Sequence, residues 1–360
     1  MKRALKYAAI GLAVVLTLVV LAAGGKVAQI HVKRSREVEA HAISEIREYT
    51  LGGIPQKVML DGADTDAPLV LFLHGGPGTP MPYNVGSRGL VPEISTNSIL
   101  VTWDQYASGI NNADQPVSVD EYRTMTVDLI RALKRDFPDN RLTVFGVSWG
   151  SLLATHAATA VPELIDEVVA YGQITRELYT NDVLMEALRA ANLREKERAR
   201  LEGIAKQETL APHDVEFLSG LIQRRTEGLL AKGTSMLDFL DLIVGAATSP
   251  DYSFQDFGAL FRNGTTGNPQ LLDEMLAQDL RGQLAEVTIP YFVVQGDKDL
   301  VTTTAIVRRD IGAMDNPNLH YVELPNTSHI PSQEALEYLL DSSNGLCDKK
   351  CVCLSDVWAG

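Results

Sequence analysis

Apolar and polar positions fall into blocks along this chain. Residues 47–51 and 56–60 flank Gly52-Gly53-Ile54-Pro55 and predict an antiparallel hairpin. Four short apolar runs follow, residues 68–73, 98–103, 141–147 and 166–171, and helical segments separate them. Such alternation predicts a mostly parallel central sheet flanked by helices. Ser118-Val119-Asp120-Glu121 is a capping box that opens a helix over residues 122–137. After Gly172 the strand pattern stops until Ile289, and the intervening sequence reads as helices, among them 181–190, 195–205 and 235–246. An inserted helical cap is therefore expected, with strands resuming at 289–295 and 318–324. Residues 248–270 carry Tyr252, Phe254, Phe257 and Phe261 among Ser, Asn, Gly and Pro. That composition suits a mobile lid, but ordinary cap core is the preferred reading of the aromatics.

The amino-terminal pattern is different. Lys2, Arg3 and Lys6 precede an uncharged run over residues 7–25. This approaches the ~20 residues that cross a bilayer and exceeds the ~7–15 usual in the apolar part of a signal peptide. The expectation is an uncleaved N-terminal transmembrane helix. Cleavage near residues 22–24, where small residues gather, is the alternative. Lys26, Lys33, Arg34 and Arg36 follow the run, so both flanks are basic and the orientation rule does not decide. An extracytoplasmic catalytic domain is the working expectation. The chain thus divides into an anchor and linker (1–40), a first half of the sheet domain (41–172), a cap (173–286), a second half (287–345) and a tail (346–360).

Of the 360 residues, 45% are hydrophobic, ample for a buried core, and the net charge is −14. That charge argues against sequence-independent nucleic-acid binding, which needs clustered cations; solubility explains it more simply. All three cysteines, Cys347, Cys351 and Cys353, sit in the tail. Their spacing lacks the fourth ligand of a structural zinc site, so a surface tail is expected. No metal or organic cofactor is expected. The oligomeric state has no signature in the sequence.

Candidate chemistry centres on Gly146-Val147-Ser148-Trp149-Gly150, between an apolar run and a helix-friendly stretch. A strand, sharp turn and helix would present Ser148 as a nucleophile, with glycines where a Cβ would collide. Upstream, a buried strand runs into His74-Gly75-Gly76-Pro77-Gly78, a loop able to supply an oxyanion donor. The N–H groups of Gly76 and Trp149 are the expected pair, the latter because donors at a helix start are unpaired. A serine needs a base and an acid to orient it. His329 follows the 318–324 strand, and Gly296-Asp297-Lys298-Asp299 ends the 289–295 strand. Asp299 is the expected acid and Asp297 the second choice. The order Ser148, Asp299, His329 is that of the α/β-hydrolase fold. His74, Asp104 and Gln105 are expected to support loops rather than react.

These motifs, with Trp103-Asp104-Gln105, resemble the proline iminopeptidase family of serine peptidases within the α/β-hydrolases. The resemblance covers residues 45–172 and 289–340. It implies removal of an N-terminal residue, often proline, from short peptides or aminoacyl amides. Relatives carry Asp-Gln-Arg-Gly after the strand, whereas this chain has Asp104-Gln105-Tyr106-Ala107-Ser108-Gly109. Family members also hold the substrate amine with acidic cap residues; Glu177, Asp182 and Glu186 are acids of this cap, but none stands in a matching motif. Ser148 argues against dehalogenase and epoxide hydrolase readings, which use aspartate there. A carboxylesterase with the same residues is the alternative, and an inactive membrane-tethered binding module the third reading.

Overall fold

The first element is a long helix, α1 (Lys2–Ala40), in the computed structural model, which describes residues 2–114, 117–234, 239–262 and 267–342. Strands β1 (Ile43–Leu51) and β2 (Ile54–Gly62) pair antiparallel, and Leu51 faces Ile54 across a two-residue turn. Gly52 and Gly53 stand there at φ 57° and 78°, a conformation that glycine adopts without strain. Ile54 and Pro55 thus belong to the strand, and the turn is shorter than expected.

Next come β3 (Leu69–Leu73), α2 (Pro92–Ser95), β4 (Ile99–Thr102), α3 (Val119–Asp136), β5 (Leu142–Val147), α4 (Trp149–Ala160) and β6 (Glu167–Tyr171). The chain then leaves the sheet for α5 (Asp182–Ala190), α6 (Glu195–Ile204), α7 (Pro212–Arg225), α8 (Leu240–Ala247), α9 (Phe254–Arg262), α10 (Pro269–Leu276) and α11 (Arg281–Ala285). It returns through β7 (Tyr291–Gly296), α12 (Thr304–Gly312), β8 (Leu319–Leu324) and α13 (Gln333–Ser342). The eight strands run in the order β1-β2-β4-β3-β5-β6-β7-β8. Pairs β1·β2 and β2·β4 are antiparallel and the rest parallel.

Alternate residues of the buried strands serve two cores, as expected of a sheet covered on both faces. Leu71, Val101 and Val144 pack with Trp149 and Leu153 beneath α3 and α4. Val70, Phe72 and Phe145 pack with Ile94 of α2 and Leu336 and Leu339 of α13. Ser118 caps α3 reciprocally: its Oγ accepts from Glu121 N, and its N–H donates to Glu121.

The carboxy-terminal half of α1 continues the helix and docks on the sheet domain. Ile30 is buried in the second core with Tyr83, Leu90 and Leu242. Arg34 is buried too, and donates to the carbonyls of Gly86 (2.6 Å), Arg88 (3.1 Å) and Gly245 (2.9 Å). Gly89, at φ 69°, makes room, since a Cβ there would lie 2.9 Å from both the Arg34 carbonyl and Val38. In the aromatic stretch, Tyr252 is tied to the core, whereas Phe254 is 92% and Phe261 56% exposed. Core packing therefore accounts for Tyr252 and not for those two. Residues 235–238 and 263–266 and the tail with Cys347, Cys351 and Cys353 lie outside the described residues.

Arg34→Ala would leave three buried carbonyls without their donor, an expected cost of roughly 2–4 kcal/mol. The thermal midpoint of the full chain in detergent should fall by several degrees. Exposed Arg36→Ala should leave it in place, and equal midpoints for the two variants would contradict the docking.

Candidate active site

Ser148 sits between β5 and α4 with φ 51° and ψ −114°, a left-handed conformation that costs a non-glycine residue roughly 1–3 kcal/mol. Its neighbours make that turn possible. A Cβ on Gly146 would lie 2.5 Å from the Gly150 carbonyl, and one on Gly150 only 2.0 Å from the Leu73 carbonyl at the end of β3. The Ser148 N–H donates to the Tyr171 carbonyl (2.8 Å), and its own carbonyl accepts from Ser151 N (2.8 Å). Backbone bonds on both sides thus hold the strained residue with its hydroxyl at the carboxyl ends of the parallel strands.

The structure brings Ser148, His329 and Asp299 into one hydrogen-bonded chain. Ser148 Oγ lies 3.0 Å from His329 Nε2, and His329 Nδ1 lies 2.8 Å from Asp299 Oδ2. Asp299 is 1% exposed, and each of its oxygens is engaged. Oδ1 accepts from Val301 N (2.7 Å) and Thr302 N (3.1 Å); Oδ2 also accepts from Thr302 Oγ1 (2.7 Å) and Gln295 Nε2 (3.0 Å). A carboxylate held by so many donors is fixed in orientation. Asp297, the second choice, is exposed and instead accepts from Thr327 N. Gly296 lets the histidine loop close over β7, because a Cβ there would meet the carbonyls of Thr327 and Ser328 at 2.6 Å.

Gly75 and Gly76 run beside the nucleophile: a Cβ on Gly75 would be 3.5 Å from that of Ser148. Gly76 has φ 115°, and its N–H, like that of Trp149 at the first turn of α4, has no hydrogen-bond partner among the described residues. His74 supports the loop from within. Its Nδ1 pairs with the Gly75 carbonyl (2.8 Å), and its Nε2 accepts from Gln105 N (3.1 Å). Gln105 in turn accepts from the Trp149 indole (2.8 Å), linking loop and helix start. Burial pushes His74 down to about 4, and both its ring nitrogens are engaged with backbone groups, so neither is free to take a proton from Ser148. Asp104 is buried below this network and accepts from Val85 N, Ile110 N and the Tyr252 hydroxyl, which ties the cap to the sheet domain. Burial pushes its carboxyl up to about 6. Tyr106 is buried, and its carbonyl accepts from the Tyr122 hydroxyl (2.8 Å).

One part of the site gave no signal in the sequence. The segment after α7 clamps both loops: Leu300 N donates to the Gly228 carbonyl (3.1 Å), Ile330 N to Leu229 (2.9 Å) and Lys298 to Glu227 (2.8 Å). Ser328 is held by its hydroxyl to the Glu227 carbonyl and by its own carbonyl to the Tyr171 hydroxyl. These contacts join positions remote in sequence, and all but the Lys298–Glu227 pair use a backbone carbonyl, a group every residue type carries.

A cavity of about 440 Å³ opens on Ser148 and His329, with walls that include Ile174, Leu178, Phe239, Ile243, Phe261 and Met275. No carboxylate is among its described lining residues. Glu177, Asp182 and Glu186 are exposed on the cap and do not line it. Among the described residues no group of three or more His, Cys, Asp or Glu could hold a metal ion.

Residues 68–335 match the family model of the alpha/beta hydrolase fold. The chain belongs to the α/β-hydrolase fold family. It is similar to YbaC of Bacillus subtilis (strain 168), named a "probable aminopeptidase", at 23% identity over 302 residues, 82% of this chain and 94% of that protein. Among solved structures, it resembles a proline iminopeptidase of Mycobacterium smegmatis (TM-score 0.55, 19% identity, 83% of this chain and 99% of that one). It also resembles a bacterial membrane phospholipase A (TM-score 0.56, 18% identity, 96% of this chain and 100% of that one). At these identities the structural likenesses establish the shared fold.

His74 and Asp104 give this α/β-hydrolase a testable response to acid. As pH falls from 6.5 towards 4, an unfolded histidine takes up a proton that His74 refuses, costing the fold roughly 3 kcal/mol. As pH falls from 6 towards 3.8, Asp104 accepts a proton that an unfolded carboxylate refuses, returning roughly 3 kcal/mol. Denaturant midpoints across this window should therefore drop more steeply in Asp104→Asn than in the unmodified chain, and less steeply in His74→Gln. Parallel curves for all three would contradict the assignment.

Proposed function

We propose that this protein is a membrane-anchored serine hydrolase that cleaves carboxylic esters with an apolar acyl group. Ser148 Oγ attacks the ester carbonyl while His329 Nε2 takes its proton, and Asp299 holds the imidazole and stabilises its positive charge. The N–H groups of Gly76 and Trp149 receive the oxyanion. The alcohol departs with the proton from His329, and water then releases the acid by the same route.

The observation that carries the choice of substrate is the cavity wall. An aminoacyl substrate would bring a cationic amine among Leu, Ile, Met and Phe side chains, and no described lining residue offers the carboxylate needed to offset its desolvation. An apolar acyl chain instead gains from burial, roughly 0.8 kcal/mol per methylene. Removal of N-terminal residues is the second reading, and the likeness to YbaC and to the proline iminopeptidase structure favours it.

The uncharged run within α1 supports the anchor: within residues 13–40 an 18-residue window has mean hydropathy 2.0 and is almost wholly unburied. Lys26, Lys33 and Arg34 are engaged with the sheet domain or α8, and Arg36 is exposed, so basic residues flank the run on both sides.

Butyryl and prolyl esters of one nitrophenol separate the two substrate readings. The butyryl ester should show the larger kcat/KM, and a prolyl preference would overturn the ester reading. On either ester Ser148→Ala should lower kcat by roughly 10⁴ or more and Asp299→Asn by about 10⁴, while Asp297→Asn stays near the unmodified rate. Equal losses for the two aspartate variants would remove Asp299 from its role.

A further inference from the structure

The anchor and the cavity share one helix. α8 and the residue before it place Ile243 and Phe239 in the cavity wall, while Asp241 pairs with Lys26 of α1 at 2.7 Å and the Gly245 carbonyl accepts from Arg34. Lys26 is the first charged residue after the uncharged run of residues 7–25. Its ammonium marks the depth at which α1 leaves the hydrocarbon, because a lysine at the end of a span reaches for the interface. Pairing with Lys26 therefore sets Asp241, and with it the start of α8, at the level of the lipid headgroups. Arg34, eight residues on, lies about 12 Å further from the bilayer along the helix. The helix pairing is rigid, since Ile30, Arg34, Gly89 and Gly245 are all committed to it.

Large apolar side chains stand exposed on α8 and on α9. Leu240, beside Asp241, is 43% exposed, and α9, packed on α8, leaves Phe254 at 92% and Phe261 at 56% exposed. Phe261 also lines the cavity, so the exposed patch is continuous with the cavity wall. Large apolar side chains gathered at a cavity mouth mark a contact surface, and the anchor supplies the partner.

We infer that the α8–α9 face rests on the bilayer and that the cavity receives the acyl chain of an ester-linked membrane lipid directly from the hydrocarbon. The inference rests on Ser148 being the nucleophile. The lipid's acyl carbon passes first to Ser148 Oγ and then to the oxygen of water. The ester C–O bond breaks, the lipid alcohol leaves with the proton that His329 took from Ser148, and a fatty carboxylate is released. Substrate selection is thus by phase: a chain already in the bilayer reaches the serine without crossing water.

The test uses the full chain in vesicles of phosphatidylethanolamine and phosphatidylglycerol, with released fatty acid and hydrolysis of a soluble short-chain nitrophenyl ester measured in parallel. Both activities are expected. In Leu240→Asp/Phe254→Asp, vesicle turnover should fall roughly tenfold or more, while the soluble ester is cleaved at its former rate, because carboxylates resist the interface. If that variant loses both activities together, Leu240→Trp/Phe254→Trp decides: tryptophan favours the interface, so retained vesicle turnover supports the contact and selective loss overturns it. Soluble turnover with silent vesicles, or vesicle turnover indifferent to the aspartates, overturns the inference alone. No soluble turnover in the unmodified chain overturns the reading of Ser148 itself, and the inference with it.

Discussion

Everything at the proposed reaction centre depends on how closely the start of α4 approaches the end of β3. The Leu73 carbonyl lies where a Cβ on residue 150 would be only 2.0 Å away, so only glycine is tolerated. That contact seats the β5–α4 turn against the strand whose continuation is the His74–Gly78 loop. Ser148 and Gly76 thereby line one cavity, with Trp149 next to the nucleophile at the start of α4. The strain at Ser148 is local, and the parallel ladder on either side of β5, with the bonds to Tyr171 and Ser151, over-determines it.

The polar groups beneath this volume are arranged to carry little free charge. His74 is kept neutral by burial and serves as a hydrogen-bonding post between loop and strand. Gln105 spans from the His74 carbonyl to the Trp149 indole, so the two proposed oxyanion donors are braced through one side chain. Asp104 carries the bracing outward to Tyr252, and the segment from Glu227 to Leu229 does the same for the acid and histidine loops. Cap and sheet domain therefore meet through hydrogen bonds to loops that hold the site, and a shift of the cap would be felt by His329.

The parts of this arrangement written in local sequence were legible. Glycines around Ser148, the glycine loop after β3, the capping box at Ser118 and the apolar strands all announce themselves within a few residues. Ser148, Asp299 and His329 followed from the positions of strand ends, and the structure brings the three together. What stayed hidden lies in contacts between distant segments. Arg34 reads in sequence as one more charge flanking an apolar run, yet it is buried and bonded to three carbonyls. Tyr252, Phe254 and Phe261 have the same aromatic signature in sequence, but one bonds a buried carboxylate and two are exposed at the cap surface. Periodicity reports that a residue is apolar; it does not report whether protein or lipid covers it.

Covalent labelling tests the central claim most directly. An organophosphonate ester should add one phosphonyl group to the full chain, found by peptide mass mapping on Ser148 alone. His329→Ala should slow the labelling severely, because the hydroxyl then lacks the base 3.0 Å away. Label on another residue, or undiminished labelling of Ser148→Ala, would contradict the assignment of the nucleophile on which the rest is built.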